Sequence, residues 1–124
     1  MSKRVLVADD AAYMREMLRD ILTHGGYQVV AEAADGDEAV QAFREQSPDV
    51  VTLDIVMPRK SGLEALREIM QADSGACVVM CSALGQEALV KDMLAAGARG
   101  YLVKPFKPDQ VLDVIGKAVA KSEE

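Results

Sequence analysis

Short runs of apolar residues alternate along the chain with segments in which apolar residues recur every three or four positions. The apolar runs lie at residues 5–8, 29–33, 49–53, 77–81 and 101–103. Runs this short, bounded by polar turn residues, are typical of buried strands in a parallel sheet. The intervening segments have the period of amphipathic helices. This alternation predicts βαβ units, and therefore an α/β fold built on a five-stranded parallel sheet.

Each helical segment carries one apolar stripe that is predicted to face the sheet. The predicted inward residues are, in chain order, Met14, Met17, Leu18, Ile21, Leu22, Ala39, Val40, Phe43, Leu63, Leu66, Ile69, Met70, Leu89, Val90, Met93, Leu94, Val111, Leu112, Ile115 and Val119. Asp35 followed by Glu38 predicts a capping box at the start of the second helix. Ser47-Pro48 predicts its end, because the residue before a proline avoids helical geometry.

Polar residues whose side chains could bind a ligand or react with one directly follow four of the predicted strands. Asp9 and Asp10 follow the first strand, Asp54 the third, Ser82 the fourth and Lys104 the fifth. A doubly wound sheet of flavodoxin-like order 2-1-3-4-5 would place strands one and three side by side, at the switch point where such sheets bind ligands. The carboxyl ends of parallel strands share one edge of the sheet. These side chains are therefore predicted to meet there.

Three carboxylates at one edge predict a site for a hard cation. Two like charges about 4 Å apart cost roughly 4 kcal/mol at an effective dielectric near 20, and a fold tolerates them mainly with a cation between them. Oxygen ligands without histidine or cysteine favour Mg²⁺, with Mn²⁺ as the alternative. Asp54 is then placed to act as a nucleophile toward phosphorus. Lys104 and Ser82 are suited to contact phosphoryl oxygens.

Each of these residues also has an ordinary structural interpretation. A single aspartate or serine at a strand end is more often a helix cap than a reactive group. Asp9-Asp10 alone is compatible with a turn, and Lys104 alone with a solvated surface lysine. The functional interpretation rests on the joint pattern, in which the polar residues close four different strands of one alternating chain.

Composition and charge narrow the classes of function. The chain has 124 residues, so we expect one domain, residues 1–124, with room for a core but not for an output domain. The net charge is −6, and no basic footprint for nucleic acid is present. No apolar run approaches the roughly 18 residues of a membrane span. A soluble, cytoplasmic protein with no nucleic-acid or membrane partner is expected.

The ordered set of motifs closely resembles the receiver domain of two-component response regulators. The matching segments are Val7-Ala8-Asp9-Asp10, Leu53-Asp54-Ile55-Val56-Met57-Pro58, Ser61-Gly62-Leu63-Glu64, Ser82-Ala83 and Lys104-Pro105-Phe106. The resemblance covers essentially the whole chain and implies that Asp54 accepts a phosphoryl group. It also implies that Asp9 and Asp10 bind Mg²⁺, together with Asp54 and the main-chain carbonyl of Val56.

The same resemblance assigns the remaining site residues and the partners. Ser82 and Lys104 are expected to contact the phosphoryl group, Tyr101 to be the aromatic switch residue, and the Lys104–Pro105 peptide bond to be cis. Within the family, residues 9–15 and 81–86 are most similar to single-domain chemotaxis regulators. The implied partners of this monomer are a histidine kinase, a flagellar motor switch protein and an auxiliary phosphatase.

One departure from the enteric chemotaxis pattern bears on the lifetime of the phosphorylated form. Val56 and Leu84 are apolar at two positions that flank the phosphoryl site and are often polar in those regulators. Hydrolysis needs a water in line with the phosphoryl group, and neither side chain offers that water a hydrogen bond. Slow self-dephosphorylation is therefore expected.

Three alternatives to a chemotaxis regulator follow from the same residues. Single-domain receivers of sporulation or cell-cycle phosphorelays would share the same site. A Mg²⁺-dependent phosphatase with an aspartate nucleophile usually has a second acid two residues later, where this chain has Val56; a signalling phosphoacceptor is therefore expected rather than an enzyme. A flavodoxin-like FMN carrier would need a Ser/Thr/Gly-rich loop where Asp9-Asp10-Ala11-Ala12 stands.

Overall fold

The computed structural model of the chain describes residues 2–123, in which strands and helices alternate regularly. The strands are β1 (Arg4–Ala8), β2 (Gln28–Ala33), β3 (Val50–Asp54), β4 (Val78–Ser82) and β5 (Gly100–Val103). The helices are α1 (Ala12–His24), α2 (Gly36–Gln46), α3 (Gly62–Ala72), α4 (Val90–Ala95) and α5 (Pro108–Ser122). A 3₁₀ turn, Glu87–Leu89, directly precedes α4.

The five strands form one parallel sheet in the order β2-β1-β3-β4-β5. This arrangement confirms the predicted doubly wound α/β fold and its strand order. β1 and β3 lie at the centre of the sheet and pair directly, with Ala8 opposite Leu53. β5 is an edge strand and pairs with β4, where Ser82 lies opposite Val103. The carboxyl ends of β1, β3, β4 and β5 therefore lie side by side.

Both faces of the sheet are covered by helices, which produces two apolar cores. One core contains the buried residues of α2 and α3 together with Met93 of α4. The other contains those of α1 and α5. In the part of the chain that the structure describes, no helix combines the length and the apolar character needed to cross a membrane.

Side-chain caps fix where α2 and α3 begin. Asp35 Oδ1 accepts a hydrogen bond from Glu38 N at 2.8 Å, and Glu38 Oε1 accepts one from Ala34 N at 2.8 Å. The predicted capping box at α2 is thus confirmed in its essentials. At α3, Ser61 Oγ accepts from Glu64 N at 3.2 Å. These caps satisfy main-chain donors that a helix cannot satisfy itself.

Three residues that were predicted to face the core are exposed instead. Met17 is exposed because Met14, Leu18 and their neighbours already fill the narrow strip of α1 that touches the sheet. Leu89 and Leu94 are exposed because the 3₁₀ turn changes the helical phase just before α4, so that Met93 is the buried side chain of that helix.

Candidate functional site

Two central strands bring the predicted carboxylates together. Asp54 is the last residue of β3, and Asp9 directly follows β1. Both are almost completely buried, at 5% and 1% exposure, while Asp10 is exposed. One carboxylate oxygen from each of the three lies within 4.8 Å of the other two. The predicted proximity of these residues, called the acid cluster below, is therefore confirmed.

Asp9 is held by hydrogen bonds at both its main chain and its side chain. Its amide donates to the Ala33 carbonyl at 3.0 Å, and its Oδ1 accepts from Ala11 N at 2.9 Å. Its other oxygen, Oδ2, is buried and has no hydrogen bond of good geometry, although Lys104 Nζ lies 2.9 Å away. A buried carboxylate oxygen left in this state is suited to accept a cation.

Lys104 bridges the two buried acids. Its Nζ donates to Asp54 Oδ2 at 2.9 Å and lies equally close to Asp9 Oδ2. Burial lowers the pKa of Lys104, but its contacts with the Asp54 and Asp9 carboxylates outweigh burial and raise that pKa above the ordinary value. The ammonium therefore stays charged at neutral pH. The Lys104–Pro105 bond is cis, as the sequence resemblance predicted.

Asp54 carries an electrostatic cost in this arrangement. Burial raises the pKa of its carboxyl, and the charge of Asp9 raises it further, while Lys104 opposes both effects. The amide of Val56 gives Asp54 Oδ1 a long hydrogen bond of 3.4 Å. A single ammonium group thus faces two buried carboxylates and the exposed Asp10. A further cation would relieve the remaining repulsion.

The donor chemistry of the acid cluster fits Mg²⁺. All three side chains offer hard oxygen atoms, and no histidine or cysteine belongs to the group. Mg²⁺ prefers a few carboxylates and keeps waters in its other positions. Asp10 lies at the exposed side of the cluster, where such waters and phosphoryl oxygens have access. Asp9 Oδ2, whose near neighbour is the Lys104 ammonium and which accepts no hydrogen bond of good geometry, supports the same fit.

A glycine that the sequence interpretation did not single out fixes the loop after Asp54. Gly62 N donates to the Ile55 carbonyl at 2.8 Å. A Cβ atom at Gly62 would overlap the main-chain oxygen of Asp54 and the Ile55 backbone. Only a residue without a side chain allows α3 to begin so close to the end of β3. The motif Ser61-Gly62 was visible in the sequence, but this contact depends on the folded chain.

Ser82 is the last residue of β4, the strand that pairs with β3 beside Asp54. It is buried, and its Oγ donates to the Leu102 carbonyl at 3.4 Å. Its own carbonyl accepts from Lys104 N at 2.8 Å. The neighbouring β4 residue, Cys81, pairs with Asp54 in the sheet register. Ser82 therefore closes the strand next to Asp54, as predicted, with its hydroxyl engaged by β5.

Tyr101 lies on the edge strand and is 43% exposed. It pairs with Met80 of β4 and precedes the buried Leu102. Because side chains alternate along a strand, Tyr101 points to the face that carries α4, opposite to Leu102. Val56 and Leu84 are also exposed, at 59% and 75%. Apolar side chains thus stand exposed in the two loops that follow β3 and β4.

A family model for the response regulator receiver domain matches residues 5–116. The chain belongs to the response regulator receiver family. The receiver is 50% identical over 117 residues to the chemotaxis protein CheY of Thermotoga maritima, covering 94% of this chain and 98% of that protein. It is also 50% identical to CheY of Bacillus subtilis over 119 residues, covering 96% and 99%. These similarities support a CheY-type response regulator of a two-component system.

A solved structure extends the similarity to three dimensions. The receiver superposes with a TM-score of 0.88 on a chain from the CheX–CheY–BeF₃–Mg²⁺ complex of Borrelia burgdorferi. The two are 42% identical, and the match covers 91% of this receiver and 86% of the other chain. That relative was thus studied with Mg²⁺, with BeF₃ and with a second protein.

Proposed function

We propose that this receiver accepts a phosphoryl group on Asp54 from a histidine kinase, with Mg²⁺ held by the acid cluster and the Val56 carbonyl. The observation that carries the proposal is the bridge formed by Lys104, which lies 2.9 Å from Asp54 and from Asp9. A lysine beside two buried acids neutralises charge where a phosphoryl group would add more. Mn²⁺ has the same ligand preference and is the alternative metal.

In the proposed transfer, a carboxylate oxygen of Asp54 attacks the phosphorus of a phosphohistidine. The new O–P bond forms as the N–P bond breaks, the electron pair stays on that imidazole nitrogen, and the ring leaves as neutral imidazole because its other nitrogen carries the proton. Bound Mg²⁺ supplies charge neutralisation for the phosphoryl oxygens. Lys104 contributes its ammonium to another oxygen, and burial of Asp54 limits the water near the reacting atoms. The protein's part is positioning and electrostatics rather than turnover of a substrate.

The proposed output is a change at Ser82 and Tyr101. Phosphorylation adds about −1.5 to −2 charge beside Lys104 and Ser82. The Ser82 hydroxyl is then drawn from the Leu102 carbonyl toward the phosphoryl group, and Tyr101 turns inward from its half-exposed position. Such a local charge event biases a segment that has two arrangements. The partner would distinguish the two forms at the surface around Tyr101.

A flagellar motor switch protein is the proposed target, in view of the CheY relatives. The Tyr101 side chain points to the α4 face, and the edge strand that carries it also lines a groove with α5 that contains Arg99, Lys117 and Lys121. Tyrosine and arginine are enriched among the residues that dominate binding energy. Met93 of α4 lies on the same face of the sheet as Tyr101, but it is a buried core residue and offers a partner no contact area. The proposal places a monomeric protein in the cytoplasm, with no nucleic acid or membrane partner.

An auxiliary phosphatase completes the proposed pathway. Val56 and Leu84 are exposed beside the site but offer a hydrolytic water no hydrogen bond. Self-dephosphorylation is therefore slow, and a partner that brings its own polar side chain accelerates it. The Val56→Asn, Leu84→Glu double variant tests this explanation through the decay rate of the phosphorylated protein. A double variant that decays no faster than the wild type would remove it.

The test of phosphorylation itself uses acetyl phosphate with Mg²⁺ and intact-mass measurement. The wild type is expected to gain one phosphoryl group and Asp54→Asn none, because the amide is not a nucleophile at this position. Asp73→Asn is the matched control, since Asp73 is an exposed aspartate after α3. Phosphate on another residue, or an unmodified wild type, would refute the assignment.

A further inference from the structure

Arg15 joins α1 to both β2 and the end of β1. Its Nη1 donates to the main-chain carbonyl of Asp9 at 2.6 Å, and its Nε donates to Glu32 Oε1 at 3.1 Å. The guanidinium is mostly buried, with the side chain 18% exposed. Arg19, one turn later on α1, forms an ion pair with the other oxygen of Glu32. Two arginines thus share one glutamate, and only Arg15 reaches Asp9.

The carbonyl that Arg15 holds belongs to the peptide unit between Asp9 and Asp10. A peptide unit is planar, so fixing its oxygen fixes the direction in which the chain leaves Asp9 and enters Asp10. The Asp9 amide and Oδ1 are already held by Ala33 and Ala11. Arg15 therefore supplies the third anchor of Asp9 and acts directly on the joint between the two acids.

Charge makes this anchor stronger than a neutral hydrogen bond. A guanidinium donor forms shorter and stronger bonds than an amide donor, and the 2.6 Å distance is consistent with that. Glu32 fixes the guanidinium plane through Nε, which leaves Nη1 aimed at the Asp9 carbonyl.

We propose that Arg15 is a positioning residue for the divalent cation. It fixes the Asp9–Asp10 peptide so that both carboxylates are arranged before the cation binds, and it contacts neither the cation nor the phosphoryl group. The inference rests on the proposed function of the acid cluster. Residues that orient metal ligands in this way typically change metal affinity by about 10- to 100-fold when they are replaced.

Arg15→Met and Arg19→Met form the matched test. Both remove an arginine from the same helix and break an ion pair with Glu32, but only Arg15→Met releases the Asp9 carbonyl. We expect Arg15→Met to weaken Mg²⁺ binding about 10-fold, and Arg19→Met to change it far less. Arg15→Lys keeps the charge but loses the two-point geometry, so its affinity is expected between those of the wild type and Arg15→Met.

Isothermal titration with Mg²⁺ alone measures these affinities, and circular dichroism verifies folding. The rate of phosphorylation by acetyl phosphate is then measured at low and at saturating Mg²⁺. Positioning of the cation predicts a slower Arg15→Met protein at low Mg²⁺ and a rate near that of wild type at saturation. A merely structural role would lower both rates alike.

The outcomes separate this inference from the proposed function. A wild-type protein that binds no Mg²⁺ would refute the function of the acid cluster. A wild type that binds Mg²⁺, with equal affinities for Arg15→Met and Arg19→Met, would overturn the role of Arg15 alone. If Arg15→Met does not fold, Arg15→Lys is compared with Arg19→Lys, and equal affinities would again overturn it.

Discussion

The acid cluster and the segment between β4 and β5, residues 83–99, are held by different means. The acid cluster stands at the ends of β1 and β3, which each pair with strands on both sides. The β4–β5 segment consists of a loop, a 3₁₀ turn and the six-residue α4.

The two regions also differ in which side chains they bury. Asp9 and Asp54 are buried although both side chains are polar. In the β4–β5 segment, apolar side chains are exposed instead, at Leu84, Leu89 and Leu94. Few buried apolar contacts are a feature of segments that open or rearrange at low free-energy cost.

This difference assigns separate tasks to the two regions. The proposed phosphoryl transfer depends on groups already in place, which the central strands and the Gly62 contact would provide. A response to phosphorylation needs an element with an accessible second arrangement. The β4–β5 segment lies between Ser82 and Tyr101, so it connects the proposed sensor residue with the proposed output residue.

Among the predictions that compare the two regions, glycine substitutions are expected to have the largest effect on stability. Gly62→Ala forces a methyl group onto the Asp54 backbone, and we expect a loss of about 3 kcal/mol in the free energy of unfolding. Gly85→Ala meets no atom within 4 Å but keeps a φ of +93°, so about 1 kcal/mol is expected. The control Gly116→Ala lies on an exposed face of α5 and is expected to stabilise by about 0.5–1 kcal/mol. The comparison would be contradicted if urea denaturation showed that Gly62→Ala loses no more free energy of unfolding than Gly85→Ala.

A Mg²⁺ titration tests whether repulsion among the carboxylates of the acid cluster destabilises the fold. At about 100 times Kd, binding to the folded state alone adds about 2.7 kcal/mol. Asp10→Ala is expected to fold, because Asp10 is exposed, and to lose most of this stabilisation. Asp113→Ala removes an exposed aspartate of α5 and is expected to keep it. A thermal melting temperature that does not change across a millimolar Mg²⁺ titration would contradict the site.

Tyr101→Ala separates output from chemistry. The phosphorylated variant is expected to bind the proposed motor switch target about 10-fold more weakly, about 1.4 kcal/mol, because the partner loses its aromatic contact. Phosphorylation by acetyl phosphate is expected to stay nearly intact. Tyr13→Ala, which removes another exposed tyrosine, is the control for target binding. Normal binding by Tyr101→Ala, with the same gain on phosphorylation, would show that the output surface lies elsewhere.

The pH dependence of stability is the smallest of these effects. The pKa of Asp54 is raised above its ordinary value of 3.8, first by burial and then by Asp9. The stability contributed by a group with a raised pKa is present below the unfolded pKa and is lost as the pH rises through the folded pKa. In EDTA, Asp54→Asn is therefore expected to gain stability relative to the wild type as the pH rises from about 4. If urea titrations gave the same difference in free energy of unfolding between the two proteins at every pH, the raised pKa of Asp54 would be contradicted.

The fold and the placement of the carboxylates could be predicted from the sequence. Short apolar runs that end at Asp9 and Asp54 specify buried strands and the edge at which they end. The strand order and the proximity of Asp9, Asp10 and Asp54 were confirmed. The cis bond before Pro105 was confirmed as well, but only the family resemblance predicted it. The chemical roles of the site residues stay predictions.

The errors and omissions arise from contacts that a linear pattern does not contain. The spacing of Leu89 fits a helix and predicts a core position, but a 3₁₀ turn has a different period. Gly62 matters through its distance from the Asp54 backbone, and Arg15 through the Asp9 carbonyl. Both contacts join a helix to the end of a strand or to the loop after it. They are therefore visible only in the folded chain.

Hydrogen exchange of the phosphorylated and unphosphorylated protein tests the division of tasks most directly. The protein is compared with and without acetyl phosphate in the presence of Mg²⁺, and Asp54→Asn serves as the control. We expect the largest changes in peptides that cover the β4–β5 segment and Tyr101, and little change in β1 or α2. Changes in exchange mainly in β1 or α2 would contradict the account. So would unchanged exchange throughout the protein when Asp54 is completely phosphorylated.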